Sequence, residues 1–207
     1  MALLTTTMNA LHRKRPRGDV PSRGWKHIPA LVILLVLLIA VPRMAKAQSG
    51  TEYQIKAAFL YNFAKFVDWP SSAFNGDADP FKICVLGDSP FGSDLERTIS
   101  ARKVQSHPVH VIYPESVSQC RNCHILFVSS SESAHIKKIV SDLGATSVLT
   151  VADTPAFTSH GGIIGFILEN ERVCFEINAQ AATRARLKVS SRLMMVSKNA
   201  LWPKNSP

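Results

Sequence analysis

Phe81-Lys82-Ile83-Cys84-Val85-Leu86-Gly87-Asp88-Ser89-Pro90 is the stretch on which the fold depends. A short run, apolar except for Lys82, ends at a group of turn residues. It is too short for a buried helix and rich in β-branched side chains, so it reads as a buried strand. The turn leads into a helix, with Ser89 predicted as N-cap and Pro90 at the first helical position. Working outward, the same alternation repeats. Residues 108–112 form a second strand and Ile125–Val128 a third. Ser131 is predicted to cap a helix to about Leu143, ended by Gly144, before a fourth strand at 147–151. Segments 162–168 and Arg172–Ile177 flank Glu169-Asn170-Glu171, a hairpin signal, and Asn178 caps a helix over 179–187. Ser191–Val196 closes the domain. Strands alternating with helices predict an α/β layered fold, a largely parallel sheet flanked by helices with an antiparallel hairpin near the C-terminus.

Upstream, Thr51 and Gln54 stand at capping-box spacing ahead of Ile55, Ala58, Phe59, Asn62, Phe63, Phe66 and Val67, which recur at helical intervals. An amphipathic helix over about 52–67, stopped by Asp68-Trp69-Pro70, follows. Its aromatic stripe reads as core, with a partner-facing surface as the alternative.

The chain has 207 residues, 46% hydrophobic, with formal net charge +9. That apolar fraction supports a packed core rather than disorder. The charge is uneven: Arg13, Lys14, Arg15, Arg17, Arg23, Lys26, Arg43 and Lys46 face only Asp19 in the first 47 residues. The remaining 160 residues carry 16 bases and 14 acids, which removes the electrostatic case for nucleic-acid binding by the main domain. A basic stretch, the apolar run 28–41 and Ala45-Lys46-Ala47 have the order of a secretory signal peptide, with Gln48 as mature residue. Met8 is an alternative start. No cysteine follows the cleavage position, so a lipid anchor there is not expected. The expected organisation is a signal peptide over 1–47, a linker at 48–50, one domain over 51–199 and a tail over 200–207. Export fits the even count of Cys84, Cys120, Cys123 and Cys174.

Several stretches together resemble the YfiR-like periplasmic proteins: 53–70, Cys84-Val85-Leu86-Gly87-Asp88-Ser89-Pro90-Phe91-Gly92, 123–132, Gly161-Gly162-Ile163-Ile164-Gly165-Phe166 and Val173-Cys174-Phe175-Glu176-Ile177-Asn178. The resemblance covers the whole mature domain in order. It implies a non-catalytic periplasmic regulator, redox-responsive and acting in cyclic di-GMP signalling and biofilm formation. The type member holds an inner-membrane diguanylate cyclase inactive and is relieved by an OmpA-like outer-membrane lipoprotein. Relatives can serve other membrane sensors, such as the periplasmic domain of a sensor kinase. The family's bridge joins the motifs that hold Cys84 and Cys123, which also lie on plausibly neighbouring strands. That pairing leaves Cys120 with Cys174, or both free; four cysteines permit three connectivities.

Other constellations are weaker. Cys120-Arg121-Asn122-Cys123 precedes a strand and does not open a helix, unlike a thioredoxin site. His107, His110 and His124 lack zinc-ligand spacing. Gly87 and Gly92 lack the Lys-Ser/Thr of a phosphate loop. Ser129, Ser130 and Ser131 with Asp153 and His160 lack a nucleophile elbow. No catalytic residue, metal or cofactor is expected. Asp88, Ser89, Ser129, Ser130 and Asp153 remain as candidate ligand-loop residues, because open α/β sheets bind ligands beyond the carboxyl ends of their strands. A small-molecule binding protein that modulates a membrane partner is thus the alternative function. Phe59, Phe63, Phe66, Leu193 and Met194 are the candidate partner-binding positions; a homodimer is one oligomeric state the sequence allows.

Overall fold

The structure, a computed structural model, describes residues 42–74, 76 and 79–198. The basic stretch, the apolar run 28–41 and the tail beyond 198 lie outside them. The chain runs α1 (Pro42–Phe66), β1 (Val67–Asp68), β2 (Phe81–Leu86), α2 (Asp94–Ile99), β3 (Lys103–Val104), β4 (His107–Ile112), β5 (Ile125–Val128), α3 (Ile136–Leu143), β6 (Leu149–Ala152), β7 (Ile164–Glu169), β8 (Arg172–Ile177), α4 (Ala179–Arg184), β9 (Lys188–Val189) and α5 (Ser191–Val196). Among the described residues, no helix is long and apolar enough to cross a membrane.

Seven strands form one sheet in the order β3-β4-β2-β5-β6-β7-β8. The five from β4 to β7 are parallel, while β3 pairs antiparallel with β4 and β8 with β7. This is the mixed α/β sheet that the sequence predicts, with a short antiparallel edge added at β3. Asn170 and Glu171, both at positive φ, make the two-residue turn between β7 and β8. From β2 the chain goes outward to β4 and then returns across β2 to β5, which creates a topological switch at the carboxyl ends of β2 and β5.

Alternation along the strands divides the interior into two layers. Phe81, Ile83, Val85, Ile125, Phe127, Leu149 and Val151 face α1, α2, α4 and α5. Cys84, Leu86, Leu126, Val128 and Ala152 face α3 through Ile136, Ile139 and Leu143.

The first helix departs from expectation in extent and phase. It begins at Pro42 and passes through 48–50, so those residues are not a linker and Thr51 is not an N-cap. Its fully buried apolar positions are Ala57, Leu60, Phe63 and Ala64, whereas Ile55 is 42% and Phe66 36% exposed. Small Ala57 and Ala64 let the helix backbone lie close to the sheet, and this sets the buried face more than aromatic content does. Phe63 then packs on Phe166 and Phe175 with ring centroids 5.7 and 5.0 Å away.

Two cap assignments also change. The helix after β2 starts at Asp94, not Pro90, because residues 90–93 form a turn. Ser131 lies inside a 3-10 segment, Ser130–His135, that precedes α3. Its hydroxyl accepts the Asp88 N–H instead of capping the helix. Asn178 does cap α4, accepting from Ala181 N at 2.9 Å.

Candidate functional site

The switch point at the carboxyl ends is where topology places a ligand crevice. Here the two flanking loops are joined to one another. Asp88 N donates to Ser131 Oγ at 2.9 Å, and Ser129 Oγ donates to Asp88 O at 2.5 Å. Ser129 is 1% exposed. Gly87 holds φ +85°, and a Cβ there would run into Ser131 Oγ. The Asp88 backbone N–H and C=O and the hydroxyls of Ser129 and Ser131 are therefore engaged with each other. Ser89 and Ser130 stay on the exposed rim.

Asp153, directly after β6, is committed to α1. It accepts from Tyr53 OH at 2.8 Å and Lys56 Nζ at 2.7 Å. Lys56, 4% exposed, also pairs with Glu52 one helical turn earlier and lies 4.3 Å from the Tyr53 ring centroid. Burial, and then the Asp153 carboxylate, push the Tyr53 phenol above its ordinary range. This buried ionic cluster carries no local sequence signal, because its halves are 97 residues apart. Ser129 and Asp153 are thus held by other groups, and neither bonds to His160 among the described residues.

The amino end of the sheet is organised by rings and sulfur. A disulfide joins Cys84 on β2 to Cys123 just before β5, with Cα atoms 6.0 Å apart. Cys120 and Cys174 are free thiols, one buried and the other half-buried on edge strand β8. Burial pushes the Cys120 thiol up to about 11. Beside the bridge, four rings stack in the order His107, Phe74, His124, Phe81, with centroid separations of 4.1, 4.5 and 4.6 Å. His124 Nδ1 accepts from Lys82 N, and burial lowers the imidazole's pKa to about 4. Both histidines are therefore parts of a packed stack, while His110 is exposed on β4.

Two cavities open at this end. One, about 410 Å³, lies between the end of α3 and α4 and is lined by Val140, Val148, Ile163, Ala181 and Ala185, with Arg184 its one charged residue. The other, about 320 Å³, is polar and lined in part by Lys82, Arg121, Asn122, Cys123 and Arg186. Neither cavity has a local signal in the sequence, since their walls come from segments far apart in the chain.

The predicted partner-binding positions separate by burial. Phe63, Leu193 and Met194 are 0%, 5% and 7% exposed and belong to the core, which corrects their assignment as a docking surface. Phe59 is half-buried beneath Phe175, and Phe66 is at the surface. The exposed apolar residues of the C-terminal part are Leu168, Met195 and Val196, at 59%, 77% and 69%. Lys198 pairs with Glu169, and its N–H donates to Phe175 O at 2.8 Å. These contacts bring the end of α5 to the β7–β8 hairpin, where Leu168 lies.

A family model described as YfiR/HmsC-like matches residues 53–198. A solved structure from Vibrio cholerae O1 biovar El Tor str. N16961, described as a conserved domain protein, is similar at 6% identity with TM-score 0.44. The match covers 57% of this chain, and the chain spans about half, 54%, of that structure.

Proposed function

This chain belongs to the YfiR/HmsC-like family, and from that premise we propose that it is a periplasmic regulator that binds an inner-membrane diguanylate cyclase and holds it inactive. The observation that carries this reading is the family match, which spans nearly the whole described domain from residue 53 to 198. A non-catalytic regulator works by binding one state of its partner more tightly than the other. An affinity difference of about 10⁴ moves a two-state partner from mostly on to mostly off. Leu168, Met195 and Val196 at the hairpin edge supply an apolar contact for the cyclase's periplasmic part. Export by the N-terminal segment delivers the domain to that compartment, and an OmpA-like lipoprotein that competes for the domain would relieve repression.

The test is cyclic di-GMP in a strain lacking this protein, with and without the candidate cyclase. Deletion is expected to raise the nucleotide and surface attachment only when the cyclase is present. Met195→Glu with Val196→Asp is expected to reproduce the deletion while leaving the melting temperature unchanged. An unchanged cyclic di-GMP level in the deletion strain removes the regulator reading.

A further inference from the structure

The 320 Å³ cavity at the amino end draws Lys82, Arg121 and Arg186 to one place from three separate segments, and among the described residues no Asp or Glu lines it. Lys82 lines it from the start of β2, Arg121 from the 3-10 turn before β5, and Arg186 from just beyond the C-cap of α4. Neither Lys82 nor Arg186 has an ion pair among the described residues. Arg121 donates to the Asp142 carbonyl, while the Asp142 carboxylate is held by Lys138 at 2.7 Å. Converging like charges repel unless a counter-charge joins them.

A second, independent observation concerns Arg186. Leu187 N donates to Ala182 O and Arg186 N to Thr183 O, the paired bonds of a Schellman helix end. In that motif the residue after the cap is left-handed and is usually glycine. Arginine occupies it here at φ +56°. A strained side chain that reaches a cavity already holding two cations points to a role outside the fold's own stability.

We propose that this cavity binds a small polyvalent anion, a phosphate ester or a polycarboxylate. The guanidiniums of Arg121 and Arg186 present paired donors that match phosphate and carboxylate oxygens, and Lys82 adds a point charge. Asn122, Thr146 and Ser147 line the same walls and offer neutral donors. The volume suits a compact ligand. Cys123 is also in the wall, and Cys84 lies two residues beyond Lys82, so the disulfide fixes the Lys82 and Arg121 walls against each other. The site is separate from the hairpin edge assigned to the cyclase, and its test is independent of that reading.

The experiment is calorimetric titration of the oxidised protein with pyrophosphate and with citrate at constant ionic strength, alongside thermal melting. Saturable one-to-one binding of either anion, with a raised melting temperature, is expected. Arg186→Gly is expected to weaken binding by at least about tenfold while the melting temperature without anion stays equal or rises, because glycine relieves the left-handed strain. Lys82→Gln is expected to weaken binding in the same direction. Sedimentation with phosphatidylglycerol vesicles against phosphatidylcholine vesicles separates the sources. Pyrophosphate-sensitive capture by the anionic vesicles identifies a lipid headgroup, and its absence beside binding of the free anion identifies a soluble ligand. Failure to bind either anion, or unchanged affinity in Arg186→Gly, overturns the proposal.

Discussion

The two ends of this sheet are built from the same strands and have opposite characters. At the carboxyl end, the hydroxyls of Ser129 and Ser131 bond to the backbone of Asp88, and Asp153 is covered by Tyr53 and Lys56 from α1. At the amino end, the ring stack and the disulfide form a firm base, yet two cavities open there and one is lined by three cations with no acid among its described residues. Topology predicts where a crevice forms, but the side chains decide whether it stays available. A polar group already paired inside the protein gains little by exchanging that partner for a ligand.

The largest effect is expected where the carboxyl end is sealed by charge. Lys56→Ala leaves Asp153 buried without its ammonium and is expected to cost about 3–5 kcal/mol in urea unfolding. Replacing both Lys56 and Asp153 with Met and Leu should recover most of that loss. If the single change costs under about 1 kcal/mol, the cluster behaves like a surface ion pair and the contrast between the ends fails.

At the amino end, Cys84→Ser or Cys123→Ser opens a bridge across a sequence separation of 39. The expected loss is about 3–4 kcal/mol in the chain-entropy picture, larger than for Cys120→Ser. Non-reducing peptide mapping with thermal melts checks both pairing and ranking.

The ring stack yields a pH dependence confined to the same end. His124 stays neutral in the fold down to about pH 4, whereas in the unfolded chain it takes a proton near 6.5. Between those values the unfolded chain binds more protons. Stability that is fully present above pH 6.5 is therefore lost as pH falls toward 4, by up to about 3 kcal/mol. The melting temperature should decline across this window, and His124→Phe should flatten the decline.

The smallest expected effect tests the loop seal. Ser131→Ala leaves the Asp88 N–H without its partner and should cost about 1 kcal/mol in urea unfolding. No measurable change would show that water replaces the hydroxyl and that the loops can separate.

Much of this architecture is legible from local signals. The parallel strands announce themselves as short apolar runs between turn residues, and the β7–β8 hairpin through Asn170 and Glu171. The phase of α1 misleads, because a helix is placed by how closely its backbone approaches the sheet, and Ala57 and Ala64 carry that information less conspicuously than Phe59 and Phe66. Ser89 and Ser131 fit the cap pattern, yet a hydroxyl near a helix start can bond across to another loop, as Ser131 does with Asp88. The Lys56–Asp153 pair, the ring stack and the cationic cavity depend on contacts between distant segments, for which residue spacing holds no signal.

The two-residue ladder of β1 and β9, Val67 opposite Val189 and Asp68 opposite Lys188, bears on how the chain reaches its final form. It joins the end of α1 to the segment before α5, and Ser190 N donates to Phe66 O at 2.9 Å. Beyond Phe59 on its own helix, Phe63 packs its ring on Phe166 and Phe175 of β7 and β8. The end of the first helix therefore completes its contacts only when the segment at 188–190, about a hundred residues later, has been placed, and closing that span is slow. The closing of this small ladder is thereby left to a late step of folding.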